Sequence, residues 1–269
     1  MSRYHTIEIS DPQFECDQIR VITVKSPALR RRGDISLFVS PGCEKMTSVP
    51  LLILLHGVYG SHWVWTLKGG AHRAAFELVR NHAIRPLVIA MPSDGLWGDG
   101  SGYYSHDGED YERWIMEDVV GSVREVATCV DEASPLFVSG LSMGGYAALR
   151  LGAKYAERVA GISAHSAITR LQQLSKFIEE PLPDYAGQAK EDLDLLTWMT
   201  RKRNTLPPLR FDCGTADDLV EANRELHGAL QAEGVPHSYE EFPGEHNWQY
   251  WQKHIYDTLL FVEAVTKSR

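Results

Sequence analysis

The chain lacks long apolar runs, paired cysteines and an excess of positive charge. Its longest apolar run, residues 49–55, is interrupted by Pro50 and is far shorter than the roughly 20 residues of a membrane-spanning helix. The 27 Lys and Arg against 36 Asp and Glu give a net charge of −9, which repels nucleic-acid phosphates and anionic membrane surfaces. The four cysteines form no CxxC pair of the kind that binds zinc or acts as a redox dithiol. We therefore expect no nucleic-acid partner and no membrane span.

The N-terminal segment shows no secretory signal pattern, and the chain shows no division into domains. Residues 1–20 are polar and acidic, without the apolar centre and small-residue cleavage site of a secretory signal, which predicts a cytoplasmic protein. No repeat, low-complexity stretch or Pro/Gly/Ser linker divides the chain, which predicts one domain over residues 1–269. The sequence leaves a homo-oligomer open.

Two kinds of strand pattern follow one another along the chain. Alternating segments at 4–9, 20–25 and 35–40 predict antiparallel strands with one wet face. Nearly all-apolar runs at 51–55, 87–91, 136–139 and 209–213 predict parallel strands that helices cover on both faces, and a last strand is expected near 237–242.

Helical patterns separate the apolar runs. They cover residues 71–82, 111–130, 144–155 and 219–233, with a closing helix at 248–266. This alternation predicts an α/β fold with a mostly parallel, doubly wound sheet and antiparallel N-terminal strands. The connection at 167–207 is too long for a simple loop, and the periodic segments 171–179 and 192–201 predict a short helical cap insertion that forms a pocket wall.

The strongest chemical motif is Gly-Leu-Ser-Met-Gly at residues 140–144. It directly follows one apolar run and opens a helix rich in small residues. A serine at such a sharp strand-to-helix turn presents its hydroxyl above the sheet, and the flanking glycines avoid Cβ clashes. The motif predicts Ser142 as a nucleophile.

A serine nucleophile needs a base and an orienting carboxylate, which in this architecture follow it in the order acid, then histidine. The acid candidates are Asp217 and Asp218, after the run at 209–213; we favour Asp217 and expect Asp218 to cap a helix or lie in solvent. His246 lies in the loop after the last strand, where the base belongs. His56 and His165 are candidates for supporting roles.

Two backbone N–H groups are needed to bind a developing oxyanion. One belongs to the residue after the nucleophile, Met143. The other is expected in the glycine-rich loop after residues 51–55, where we assign it to Val58 with Tyr59 as the alternative. The aromatic loop residues Tyr59, Trp63, Trp97 and Tyr104 are candidates for substrate contacts, against the alternative that they pack under their loops.

No cofactor and no metal ion is required by this chemistry. The acidic stretch at residues 107–110 could bind a cation, but carboxylates at a helix start also satisfy free N–H groups and the helix dipole. We favour the second interpretation.

Several of these segments together resemble a known family. The blocks HGVYGSHWVW, MPSDG, GLSMGGYAALRLG, CGTADD and FPGEHNW are similar to the Putative esterase family of α/β hydrolases. That family includes esterase D, feruloyl, acetylxylan and tributyrin esterases and the antigen 85 mycolyltransferases. The resemblance covers residues 20–262 and implies an α/β-hydrolase fold with Ser142 as nucleophile, Asp217 as acid and His246 as base.

The residues and the resemblance lead to one expected function. The chain is expected to be a serine carboxylesterase that hydrolyses small-molecule esters of a small or medium acyl or aryl acid through an acyl-enzyme. The alternatives are acyl transfer to an alcohol or sugar with the same triad and, less favoured, a non-catalytic binding protein on this fold.

Overall fold

Nine strands form one sheet in the computed structural model, which describes residue 4 and residues 6–106, 108–181 and 190–269. The strands are β1 Ile7–Ile9, β2 Ile19–Lys25, β3 Arg32–Val39, β4 Leu51–Leu55, β5 Val88–Pro92, β6 Leu136–Leu141, β7 Gly161–His165, β8 Leu209–Gly214 and β9 Ser238–Phe242. Their order is β1-β2-β3-β5-β4-β6-β7-β8-β9. In this spatial order, β1, β2, β3 and β5 pair antiparallel, and β5, β4, β6, β7, β8 and β9 pair parallel. This pairing confirms the predicted α/β sheet with antiparallel N-terminal strands.

Helices connect the parallel strands, and a last helix follows β9. They are α1 Val64–Leu67, α2 Ala71–Arg80, α3 Tyr111–Arg113, α4 Val120–Val126, α5 Met143–Lys154, α6 Lys190–Leu193, α7 Leu195–Arg201, α8 Val220–Ala232 and α9 Trp248–Ser268. A π-helical segment, Trp114–Val119, joins α3 to α4. In the described part of the chain, no helix is both long enough and apolar enough to cross a membrane.

The structure corrects several predicted boundaries. The helix expected at 111–130 ends at Val126, because Ala127 already has extended backbone angles. Strand β7 was not among the strands named from the sequence, since its small and polar residues do not form an apolar run. The segment expected at 192–201 is two helices, because Asp194 caps the start of the second one.

The predicted insertion at 167–207, the acidic stretch at 107–110 and the predicted first strand at 4–9 fall partly outside the described residues. Within the described part of the insertion, Leu171–Lys176 forms a 3₁₀ helix. In the acidic stretch, Asp110 caps α3 by accepting a hydrogen bond from the N–H group of Arg113 at 2.9 Å.

The core lies on both faces of the sheet. Side chains alternate along each central strand: Leu51, Ile53 and Leu55 join the cluster that packs under α4, α5 and α8. Leu52 and Leu54 join the cluster under α2 and α9. Burial on both faces explains why the parallel strands appear as continuous apolar runs in the sequence. Because β4, β6, β7, β8 and β9 are parallel, the loops after them meet at one edge of the sheet.

Candidate active site

Ser142 stands at a strained turn between β6 and α5. Its backbone angles, φ 54° and ψ −119°, lie in a region that non-glycine residues rarely occupy. Its N–H donates to the carbonyl of His165 at 3.0 Å, and its own carbonyl accepts from the N–H of Tyr146 at 3.0 Å. These bonds to β7 and α5 hold the turn, which places the hydroxyl directly above the N-terminus of a 12-residue helix.

The glycines of the motif are required by close backbone contacts. A Cβ on Gly144 would lie 2.5 Å from the carbonyl oxygen of His56, and a Cβ on Gly140 would lie 2.4 Å from the carbonyl oxygen of Gly144. Both distances are shorter than any tolerated contact, and both neighbours are backbone atoms that cannot rotate away. The helix can therefore approach β4 and β6 this closely only without side chains at these two positions.

Ser142, His246 and Asp217 form one continuous chain of hydrogen bonds. The hydroxyl oxygen of Ser142 lies 3.1 Å from Nε2 of His246. Nδ1 of His246 lies 2.9 Å from Oδ2 and 3.1 Å from Oδ1 of Asp217. The three residues come from the ends of β6, β9 and β8, so the sheet alone brings together residues far apart in sequence.

The carboxylate of Asp217 is fully buried, whereas Asp218 is exposed. Burial acts to raise the pKa of Asp217, but hydrogen bonds from His246, from the N–H of Leu219 at 2.8 Å and from the hydroxyl of Ser166 outweigh it and hold the pKa below its usual value. The carboxylate is therefore charged at neutral pH and can orient an imidazole. Of the two acid candidates, the structure brings Asp217 to the histidine.

Aromatic side chains fix the ring of His246. Phe177 stacks on one face with ring centroids 5.2 Å apart, and Trp251 meets the ring edge-on at 5.0 Å. The indole N–H of Trp251 donates to the hydroxyl of Ser166 at 3.2 Å, and Ser166 in turn bonds Asp217. Sequence reasoning missed Phe177, Trp251 and Ser166, because the packing of loops and helix ends leaves no motif.

The loop after β4 contains Val58 and Tyr59, the two residues considered from the sequence as an oxyanion donor. The N–H of Tyr59 donates to the carbonyl of Asp99 at 3.1 Å and is therefore occupied. Among the described residues, the N–H groups of Val58 and Met143 donate to no protein acceptor. Gly57 permits the approach of this loop to the nucleophile, since a Cβ there would lie 3.1 Å from Cβ of Ser142.

A cavity of about 890 Å³ opens at Ser142 and His246. Tyr59 and Trp63, two of the four aromatic candidates for substrate contacts, line it together with residues 176–178 of the predicted insertion. Trp97 and Tyr104 do not line it. Tyr104 is fully buried, and both pack with His106 beneath their loop, which agrees with the alternative of loop packing for this pair.

A second, fully buried His–Asp pair lies behind the nucleophile. His165 Nδ1 is 2.8 Å from Oδ2 of Asp212, and its Nε2 is 2.8 Å from the hydroxyl of Thr258. Tyr250 also donates to Asp212 at 2.8 Å. His165 is completely buried, and its carbonyl accepts the hydrogen bond from the N–H of Ser142, so this pair helps to hold the turn at Ser142. In the described residues, no group of three His, Cys, Asp or Glu side chains is arranged to hold a metal ion.

The fold and the hydrogen-bonded serine at a strand-to-helix turn define an α/β hydrolase. The model of the Putative esterase family matches residues 26–262, and the chain belongs to this family. It is a carboxylic ester hydrolase.

Individual relatives span most of the chain. An acetyl esterase of Caldicellulosiruptor saccharolyticus is 29% identical over 80% of this chain and 84% of its own length. An S-formylglutathione hydrolase of Arabidopsis thaliana is 24% identical over 68% of this chain and 69% of its own length. Among solved structures, a ferulic acid esterase is 21% identical, with a TM-score of 0.79 over 97% of this chain and 99% of its own, a likeness of fold.

Proposed function

We propose that this chain is a serine carboxylesterase in which Ser142 is the nucleophile, His246 the general base and Asp217 the residue that orients the base. The observation that carries the proposal is the unbroken hydrogen-bond chain from the Ser142 hydroxyl through both ring nitrogens of His246 to the buried carboxylate. A binding protein on this fold would have no need of that chain at the floor of an open cavity.

The reaction follows from the geometry. The Ser142 oxygen attacks the ester carbonyl carbon while its proton passes to Nε2 of His246. His246 then gives this proton to the oxygen of the departing alcohol, which leaves an acyl group on Ser142. Water attacks the acyl-enzyme with His246 again as base, and the acid is released. Throughout, Asp217 keeps the Nδ1 proton in place and stabilises the imidazolium that forms twice.

The oxyanion of each tetrahedral intermediate is bound by the N–H groups of Met143 and Val58. Their lack of protein acceptors among the described residues supports this assignment, and the Asp99 carbonyl bound to Tyr59 argues against the alternative. Met143 is also the first residue of α5, so the positive end of the helix dipole adds to the stabilisation.

The substrate class is an ester of a small or medium acyl or aryl acid. The cavity is lined by aromatic side chains, including Trp63, Phe177 and Trp248, and its volume of about 890 Å³ exceeds the space that an acetyl group fills. The relative named acetyl esterase supports activity on short acyl groups. Alkyl and aryl acyl groups can both pack against these aromatic side chains.

The test is hydrolysis of p-nitrophenyl esters of graded acyl length by the wild type and by Ser142→Ala, with Ser105→Ala as a serine-removal control away from the cavity lining. We expect Ser142→Ala to fold normally and to lose all measurable turnover, while the control keeps it. A fluorophosphonate should add its phosphonyl group to the wild type at Ser142, detectable by intact mass and peptide mapping.

Three outcomes separate the candidate functions. Turnover by pure Ser142→Ala would overturn the assignment of the nucleophile. Free acid as product supports hydrolysis, whereas a new ester formed from an added alcohol or sugar would assign acyl transfer. A folded wild type that neither labels nor turns over any ester would leave the binding role as the better interpretation.

A further inference from the structure

A second cavity of about 320 Å³ lies beside the first, between the N-terminal segment and α1. We call it the side groove; Phe14, Ile19, Val21, Trp63 and Leu67 form its apolar walls. Trp63 lines both the side groove and the cavity at Ser142. One aromatic side chain is therefore the shared wall of the two cavities.

Helix α1 is the element that separates the cavities. Val64 and Lys68 line the cavity at Ser142, whereas Thr66 and Leu67 line the side groove. Because the rise is about 1.5 Å per residue, Leu67 lies about 6 Å along the helix from Trp63. A ligand that passes over Trp63 from the active site therefore meets the apolar wall of the side groove about one helical turn further on.

Exposed apolar side chains are concentrated at this place. Nine large hydrophobic residues are exposed in the described part of the chain, and four of them line the side groove: Phe14, Val21, Trp63 and Leu67. Phe14 and Leu67 are the most exposed of the nine, at 77% and 79%. Scattered apolar residues need no explanation, but a contiguous apolar surface next to a reactive site is typical of a binding surface.

The polar groups of the side groove are occupied or uncharged. The two carboxylates at its rim are paired with arginines, Glu15 with Arg20 at 3.0 Å and Asp17 with Arg73 at 2.8 Å. Burial lowers the pKa of the two histidines in its wall, His62 and His72, which keeps them neutral at pH 7. The side groove therefore offers no free charge and suits an uncharged, apolar group.

We propose that the side groove binds the apolar end of an extended ester whose carbonyl lies at Ser142, so that Phe14 and Leu67 set specificity for substrates with an apolar group remote from the reacting bond. This proposal rests on the proposed function, since it takes Ser142 as the reacting residue. The proposed occupant of the side groove is the substrate itself, because Trp63 lines both cavities and a chain that leaves Ser142 over this side chain reaches the side groove.

The experiment measures KM and kcat for two ester series, p-nitrophenyl alkanoates from acetate to decanoate and alkyl acetates from ethyl to decyl. The test variant is Phe14→Ser combined with Leu67→Ser, since both side chains are largely exposed and their loss should leave folding intact. The matched control is Leu260→Ser, an exposed leucine on α9 that lines neither cavity.

In at least one series, we expect the test variant to raise KM for the longest ester by about fourfold for each methylene that loses its apolar contact, with kcat unchanged. KM for the shortest ester should stay at the wild-type value, and the control should match the wild type throughout. An unchanged ratio of long-ester to short-ester KM in both series would overturn the proposal.

The shortest esters lack the long alkyl chain that the side groove is proposed to bind, so their Ser142-dependent hydrolysis tests the proposed function alone. If Ser142→Ala still cleaves them, the proposed function has failed, whatever the side groove does. If they are cleaved normally but chain length has no differential effect in the test variant, only the side groove has failed.

Discussion

Replacing His56 tests how the oxyanion loop is held. Nε2 of His56 accepts a hydrogen bond from the N–H of Asp94 at 3.0 Å, so the proton is on Nδ1, which donates to the carbonyl of Gly57 at 2.7 Å. That carbonyl belongs to the same planar peptide unit as the N–H of Val58, and the two groups point in opposite directions. His56 therefore fixes the direction of the proposed oxyanion donor without touching the substrate.

The size of the effect follows from two competing terms. Loss of one oxyanion donor costs about 10²–10³ in kcat. The N–H of Gly60 also donates to the Gly57 carbonyl, at 3.1 Å, and retains part of the orientation. We therefore expect His56→Leu to lose about tenfold to a hundredfold in kcat with a small change in KM. His56→Asn should keep most of the kcat, because its amide nitrogen can occupy the position of Nδ1.

Stability separates this role from a merely structural one. Both variants leave the buried N–H of Asp94 without its acceptor, which costs about 1–3 kcal/mol of unfolding free energy. Both should therefore show a similar loss of urea stability but differ in kcat. If the two variants lose kcat equally, or if His56→Leu keeps kcat within about twofold, the reasoning about the peptide orientation is wrong.

The same residue predicts a pH dependence. Burial lowers the pKa of His56, outweighing the nearby Asp94 charge and the hydrogen bond to Gly57, which raise it. The unfolded chain then binds a proton below about pH 6.5 that the folded chain does not, so stability falls as the pH drops through that value. In urea titrations, both variants should lack this contribution.

Three further predictions concern the triad acid, the tight turn and a buried ion pair. Asp217→Asn should lower kcat by about 10³–10⁴-fold. Because the folded protein holds the pKa of Asp217 below its usual value, the charged carboxylate stabilises the fold above about pH 3.9. In acid titrations the wild type should lose this stability as the pH falls below that value, and the variant should lack it at every pH. Gly144→Ala should prevent stable folding, seen as lost soluble protein, whereas Gly228→Ala, with no atom within 4 Å of the added Cβ, should gain about 0.5–1 kcal/mol in urea unfolding. Arg150→Met should destabilise the chain by about 1–3 kcal/mol in the same assay, because it removes the fully buried partner 2.8 Å from Glu112, which keeps Lys154 and Tyr155 as partners.

The parallel half of the sheet could be predicted from sequence because burial on both faces produces apolar runs. Strands β4, β5, β6 and β8 all appear in this way. Strand β7 does not, since its sequence GISAH contains a glycine, an alanine and two polar residues that the surrounding layers enclose. Ser163 and His165 can be buried there because Thr258 and Asp212 satisfy their polar atoms, and no local pattern reveals partners that are about 50 to 95 residues away.

The candidate site was predictable to the extent that topology determines it. Ser142, Asp217 and His246 follow three parallel strands, so their order and positions bring them to one edge of the sheet. The choice between Asp217 and Asp218 could not be made from spacing alone, since both are one turn after β8. In the structure, the Asp217 carboxylate accepts a hydrogen bond from the N–H of Leu219 and lies against His246, whereas Asp218 is exposed.

The aromatic loop residues show where sequence reasoning stops. Tyr59, Trp63, Trp97 and Tyr104 are alike in type and lie in similar glycine-rich loops, yet only the first two reach the catalytic cavity. Trp97 and Tyr104 pack around His106, which itself stacks on Tyr111 of α3 at 4.6 Å, so this aromatic cluster buries Tyr104 fully and Trp97 in part. Among the described residues, Tyr59 and Trp63 stack on no other ring, and they stay 64% and 41% exposed. Of these four loop aromatics, the two outside such a cluster are therefore the ones available to a substrate. For this reason we expect substrate specificity to depend on Trp63, which lines both the catalytic cavity and the side groove.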